Sequence, residues 1–328
     1  DPAGAHEAAS ERVASVLDRY QEQPSILDAK LEAMVTPLLE SVRQVARYGA
    51  PKAVLPHACR VMYSLCKVRG YKTIVKFVPH EVADLEPLVH LLAEVDPGDH
   101  AGWQVAFSLM VWLSMVVMVP FDLSIIDSSS SPQPVDTASG ALAAAVQTMS
   151  VEPSSSSTAA SGSPLVLSIE RLAVRFLSST GPARDAGAVL LARLLTRPGL
   201  QRQLSAFITW GGAELDKGRA AAEANGGTGT ATFLMVGIYS ALAAVFKLGH
   251  RAELLPQLPL LGSLTHSPAT LLEDSSVIRR KLGMKLLQRV AAVHLPPRVA
   301  TWRYQRGSRS LEKNLQLTPN GADAAERE

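Results

Sequence analysis

Eight histidines, two cysteines and one glycine cluster are the residues of this 328-residue chain whose chemistry could reach beyond packing. His80-Glu81 resembles the start of a zinc-protease helix, in which a second histidine one turn later completes a metal pair. The residue three beyond Glu81 is Asp84, so that pair is missing. Gly226-Gly227-Thr228-Gly229 has the composition of a phosphate loop. It lacks the preceding strand and the Lys-Ser/Thr step that would reach phosphate and magnesium, and reads as a linker. Cys59 and Cys66 fall on one side of a helical pattern, two turns apart and too far for a disulfide, as small buried hydrophobes that suit a reducing compartment. There is no Cys-x-x-Cys and no Gly-x-Ser-x-Gly elbow. The expectation is a non-catalytic protein with no cofactor and no metal.

What accumulates instead is positive charge toward the C-terminal end: Arg279, Arg280, Lys281, Lys285 and Arg289, then Arg298, Arg303, Arg306 and Arg309. On a helix of 3.6 residues per turn, Ile278, Leu282, Leu286 and Val290 make the buried stripe, with Lys281 and Lys285 on its flank and Arg289 near its edge. The run Trp302-Arg303-Tyr304-Gln305-Arg306-Gly307 then interleaves aromatic rings with guanidinium groups, the residue types enriched at interface hot spots. The candidate partner-binding set is Arg280, Lys281, Lys285, Arg289, Trp302, Arg303, Tyr304 and Arg306. A second candidate contact is Lys67, Arg69, Tyr71 and Lys72. A solvated polar face is the plain alternative for either group.

Because 32 basic and 30 acidic side chains leave a net charge of only +2, no whole-molecule field draws the chain to nucleic acid or an anionic membrane, and no nucleic-acid motif is present. An acidic protein partner meeting a local patch is the remaining electrostatic reading. The chain opens Asp1-Pro2-Ala3-Gly4 without a basic, then apolar, leader, so no signal peptide is expected. Val105–Val119, read as the most apolar run, is shorter than the roughly 20 residues a bilayer needs and is read as a buried helix. The missing initial Met and the polar end, Asn320–Glu328, suggest a fragment.

The elements that must carry these residues are helices. Hydrophobic content of 47% with only 5% aromatics favours helices packed through aliphatic seams, and no segment alternates apolar and polar residues as a half-buried strand would. Asp28 is placed as the N-cap of a first long helix with a kink or restart at Pro37. A helix from about Val54 ends at Gly70 in a left-handed conformation, and Asp84 caps a helix ended by Pro97-Gly98. Trp103–Val119 is apolar nearly all round and belongs inside the stack. Further helices are expected at 167–176, 185–195, 200–213, about 232–248 and about 276–293, with a loop at 256–268. Short connections between helices of this length imply an all-α fold, an α-solenoid of HEAT or armadillo-type helix pairs. The expected organisation is repeats over 1–127, a disordered Ser/Pro/Ala-rich insertion at 128–164, further repeats over 165–316 with a flexible break at about 222–230, and a polar tail at 317–328.

Several local phrases carry more information than this periodicity. They are Lys67-Val68-Arg69-Gly70-Tyr71-Lys72, Pro79 through Pro87, Trp112-Leu113-Ser114, Pro120-Phe121-Asp122-Leu123, Arg184-Asp185-Ala186-Gly187-Ala188, Thr196-Arg197-Pro198, Arg280-Lys281-Leu282-Gly283, and Trp302–Gly307 continuing to Ser310-Leu311. In order and spacing they resemble the N-terminal region of the tubulin-folding cofactor D family. The resemblance implies a HEAT or armadillo solenoid that receives β-tubulin after the cytosolic chaperonin, in heterodimer assembly and disassembly. It also implies tubulin-folding cofactors E and C and a small Arf-like GTPase as partners, stimulation of tubulin GTP hydrolysis by the assembled cofactors, and a cytoplasmic location with microtubule or centrosome association. No catalytic residue is carried over. The Ser-rich insertion departs from the family's compact connection. An importin-like or adaptor-like solenoid, or a scaffold that only caps a longer array, are the competing classes.

Overall fold

Proline and glycine punctuate the chain, and helices fill the intervals. The computed structural model describes residues 2–128, 163–225, 230–261 and 276–296. Every regular element among them is helical: α1 Pro2–Asp18, α2 Leu31–Tyr48, α3 Leu55–Leu65, α4 Tyr71–Ile74, α5 Leu85–Ala93, α6 Trp103–Val116, α7 Pro164–Arg175, α8 Pro182–Leu195, α9 Gln201–Asn225, α10 Thr230–Leu248, α11 Arg251–Leu254 and α12 Val277–His294. Gly49 ends α2 at φ +66°, and Gly181 and Gly199 turn the chain at φ +77° and +88° on either side of α8, conformations open to glycine at little cost. Pro164 and Pro182 sit in the first turns of their helices, where no backbone N–H is needed.

The helices form pairs. Gly187 of α8 faces the carbonyl of Ala173 on α7, and on the other side the sulfur of Met110 on α6. Gly211 and Gly218 of α9 face Ile238 and Met235 of α10, so α9 and α10 run antiparallel. Across pairs the direction repeats: the starts of α6, α8 and α10, marked by Trp103, Ala183 and Phe233, line one cavity. Their ends, marked by Met118, Arg197 and Leu248, line another. Three parallel helices in successive pairs are the layer a helical solenoid builds from its second helices.

Alanine and glycine let this layer close. The α8 core face, Ala183, Ala186, Gly187, Ala188 and Ala192, packs between α6 and α10 with Leu190, Leu191 and Leu194 fully buried. At Gly237 of α10 a β-carbon would overlap the Leu177 carbonyl and lie 2.8 Å from the Leu177 side chain. α6 is buried on nearly all sides, as its composition predicts.

Among the described residues one helical stretch, Ala231–Leu248, has the length and hydropathy of a membrane span. More than half of it is buried, against α8, α9 and the 3-10 turn Phe176–Ser178. That packing absorbs the apolar surface.

Several expectations need correction. Asp28 does not cap α2: it lies in a 3-10 turn, Pro24–Lys30, and pairs with Arg69. Pro37 neither breaks nor restarts α2, which runs unbroken from Leu31 to Tyr48. Asp84 stands at the N-cap position of α5 but makes no cap hydrogen bond. Its carboxylate, 2% exposed, is held instead by Arg43 at 2.9 Å and Arg47 at 2.6 Å. Buried charge needs an opposite charge more than a helix end needs a cap. α5 ends at Ala93, before Pro97-Gly98, and α3 ends at Leu65, followed by a π-turn Cys66–Gly70 that closes with Gly70 at φ +89°. α9 continues to Asn225, past the start of the break expected at 222, because its end is rich in alanine. A short helix and a 3-10 segment, Leu255–Leu261, occupy the start of the loop expected from Pro256. The insertion read at 128–164 lies, but for its end residues, outside the described residues, as does the tail. The chain divides into two units, Asp1–Val293 and His294–Glu328.

Both cysteines are free and buried, and burial pushes each thiol up to about 12. Replacing Gly237 with Ala should destabilise the protein by about 2 kcal/mol or more, the cost of overpacking a close contact with backbone. Thermal unfolding of Gly237→Ala beside Gly4→Ala, whose added carbon meets nothing within 4 Å, checks this.

Candidate partner-binding surface

The π-turn Cys66–Gly70 brings the first cations into place. Lys67 is tied to Asp18 at 2.9 Å, and Arg69 grips both oxygens of Asp28. These two residues of the predicted second contact therefore anchor the turn to α1 and to the 3-10 turn before α2. Tyr71 is half-buried against the core. Lys72 is exposed and pairs with no carboxylate among the described residues.

α12 supplies the next. Its buried positions are Arg279, Gly283, Leu286, Val290 and Val293. Ile278, expected in the stripe, is 59% exposed, and the buried line starts one residue later at Arg279. That shift rotates the helix while leaving Lys281 and Lys285 exposed, Arg280 half-buried and Leu282 partly buried. Arg289 is not free on a rim: its guanidinium donates to the Ala243 carbonyl of α10, and burial lowers its pKa. Arg251 of α11 in turn donates to the Val293 carbonyl at 2.8 Å, a second tie to α12.

The two predicted patches meet through a lysine that neither contained. Lys247, the one charged residue in the 19-residue α10, is exposed in the last turn of that helix. Lys72 above all, then Arg289, burial and Lys285, press its ammonium below the ordinary lysine value. Lys72, Lys285 and Arg289, from two other parts of the chain, thus lie near enough to Lys247 for their charges to act on it, and Arg289 is held against Ala243 of the same helix. Among the described residues no carboxylate pairs with Lys72, Lys247 or Lys285, whereas Arg43, Arg47, Lys52, Arg60, Lys67 and Arg69 all have acidic partners. The signal that could have found Lys247 is a lone cation at the C-terminal end of an apolar helix, where the helix dipole favours it.

Two arginines, Arg193 in the last turn of α8 and Arg197 just after it, close the end of α6. Arg193 donates to the Ser114 carbonyl and hydroxyl, each at 3.0 Å. Arg197 reaches the carbonyls of Val119 at 2.8 Å and Phe121 at 2.6 Å, and that of Val117. These carbonyls lie in and beyond the last turn, where the helix leaves acceptors unsatisfied, and charged donors stabilise them. Burial lowers the pKa of both arginines, with Asp122 partly offsetting it for Arg197.

The arrangement offers fixed positive charge at parallel helix ends. Among the described residues no group of His, Cys, Asp and Glu could hold a metal ion. Trp302, Arg303, Tyr304 and Arg306 lie outside the described residues.

The fold and this surface define an armadillo-type helical-repeat protein, an α-solenoid of helix pairs. Residues 17–215 match the family model described as tubulin-specific chaperone D-like, ARM repeat, and residues 278–328 match a second, tubulin-specific chaperone D-like, ARM repeats. The chain belongs to the tubulin-specific chaperone D-like family. It is 26% identical to the tubulin-specific chaperone D of Dictyostelium discoideum, over 90% of this chain and 25% of that protein. It is 23% identical to the tubulin-folding cofactor D of Schizosaccharomyces pombe, over 54% of this chain and 12% of that protein. The chain therefore spans a quarter or less of the length of these relatives. No solved structure gives a significant match.

If the cluster is held together against its own repulsion, Lys247→Gln should raise the melting temperature at low ionic strength. The gain should vanish near 1 M salt, where the screening length falls to about 3 Å. Differential scanning fluorimetry across a salt series reads both effects.

Proposed function

We propose that this chain is a tubulin-binding segment of a tubulin-folding cofactor, which holds β-tubulin in the post-chaperonin pathway of heterodimer assembly and disassembly. The observation that carries the reading is the coincidence of family membership with three exposed lysines, Lys72, Lys247 and Lys285, that pair with no carboxylate among the described residues. Tubulin is an acidic protein, and complementary charge favours its encounter and orientation. The segment acts by binding, with no catalytic residue of its own. Stimulation of tubulin GTP hydrolysis belongs, in this reading, to the assembled complex with cofactors E and C and a small Arf-like GTPase. The setting is the cytoplasm, with association to microtubules or the centrosome.

Charge reversal tests the reading. Lys72→Glu, Lys247→Glu and Lys285→Glu together should weaken β-tubulin capture about tenfold or more while the circular dichroism stays helical. Raised salt should weaken the parent in the same way. Unchanged capture of β-tubulin, cofactor E and the GTPase by the triple variant would remove the cluster from every one of these interfaces.

A further inference from the structure

The fold ties down both ends of residues 129–162. Where that stretch begins, Ser128 donates its backbone N–H to the Glu86 carboxylate of α5 at 2.7 Å. Where it ends, the Asp127 carboxylate accepts both the Ser163 hydroxyl and the Leu165 N–H, the latter at 2.8 Å. Ser163 occupies the N-cap position of α7, yet its own side chain makes no cap hydrogen bond. Asp127, only 7% exposed, supplies the cap from the other side of the stretch. One buried carboxylate thus clasps the first turn of α7 to the chain that follows the 3-10 turn Leu123–Ile125.

The clasp has a neighbour that matters. Val166, one residue past Leu165, and Leu123 are buried side chains in the wall of the cavity at the C-terminal ends of α6, α8 and α10. Opening the first turn of α7 therefore disturbs that wall. The clasp also holds a sequence signal. Ser163-Pro164 is the one Ser-Pro step among the described residues, and the one Thr-Pro step there, Thr36-Pro37, lies inside the helical backbone of α2. Ser163 has extended backbone, at φ −45° and ψ 137°, and is half-buried beside an exposed Pro164.

We propose that Ser163 is a phosphorylation site for a proline-directed protein kinase, and that its phosphate opens the Asp127 clasp. In the modification the Ser163 oxygen bonds to the γ-phosphorus of ATP, the bond to ADP breaks, and the hydroxyl proton passes to the kinase. The product carries nearly two negative charges where a hydroxyl had donated to a buried carboxylate. The donor is gone, and two anions face each other where water screens them least. A phosphate at a helix start is otherwise favourable, but the Leu165 N–H is already engaged by Asp127, so one of the two anions must leave. The inference goes beyond the tubulin reading, since it concerns how the chain is modified and which turn then moves.

The full chain is incubated with a purified proline-directed kinase and Mg-ATP, and phosphate is located by peptide mass spectrometry. Ser163 should be modified, and hydrogen–deuterium exchange at residues 165–168 should then quicken about tenfold or more. Ser163→Glu should quicken the same amides without kinase. Asp127→Asn keeps an acceptor oxygen for Leu165 and removes the charge, so in this variant phosphorylation should change the exchange by less than about twofold. Absence of phosphate on Ser163, from a kinase that modifies a control peptide, overturns the proposal. Phosphorylation that leaves exchange at 165–168 unchanged also overturns it, as does an undiminished response in Asp127→Asn.

Discussion

The close approach of α8 to its neighbours is the constraint on which the rest of the structure depends. α8 lies between α6 and α10, and it fits because the touching positions carry little or no side chain: Ala186, Gly187 and Ala188 on α8, and Gly237 where α10 crosses the Leu177 carbonyl. Close-packed interiors transmit a misfit of even one carbon. With the three helices brought this near and in the same direction, their C-terminal ends fall side by side. Each end presents carbonyls with partial negative charge.

The cations follow from those carbonyls. Arg193 on α8 and Arg197 just beyond it complete the end of α6, and Arg289 on α12 reaches the Ala243 carbonyl of α10. Lys247 and Lys72 then crowd the same edge with no acid among the described residues to answer them. A charged layer of this kind costs stability through self-repulsion. In the proposed reading, structure and binding share one origin, the parallel alignment of helix ends.

The helices themselves were legible because their signals are local. Apolar spacing marks α2, α6, α8 and α12, and Pro-Gly steps mark the turns around α8. The errors have one physical source, which is that side chains answer to partners far away in sequence. Asp28 and Asp84 look like caps until Arg69, Arg43 and Arg47 arrive from other helices to claim them. Ile278 looks like core until Arg279 takes its place. Lys67 and Arg69, candidate contacts in the sequence, also pair in the fold with Asp18 and Asp28. The candidate surface was half legible: Lys72, Lys285 and Arg289 stood in the sequence as two unrelated patches, and only the fold joins them through Lys247. Phrases that mark the family resemblance, Pro120–Leu123, Thr196–Pro198 and Lys67–Lys72, come together at or beside the same edge, which no reading along the chain could show.

Hydrogen–deuterium exchange of the chain with and without β-tubulin tests the central claim, that the aligned helix ends form the binding face. Protection should concentrate in residues 70–76, 117–123, 244–250 and 281–289. Protection confined to the opposite ends of the same helices, around Asp96–His100 and Gly181, would contradict it.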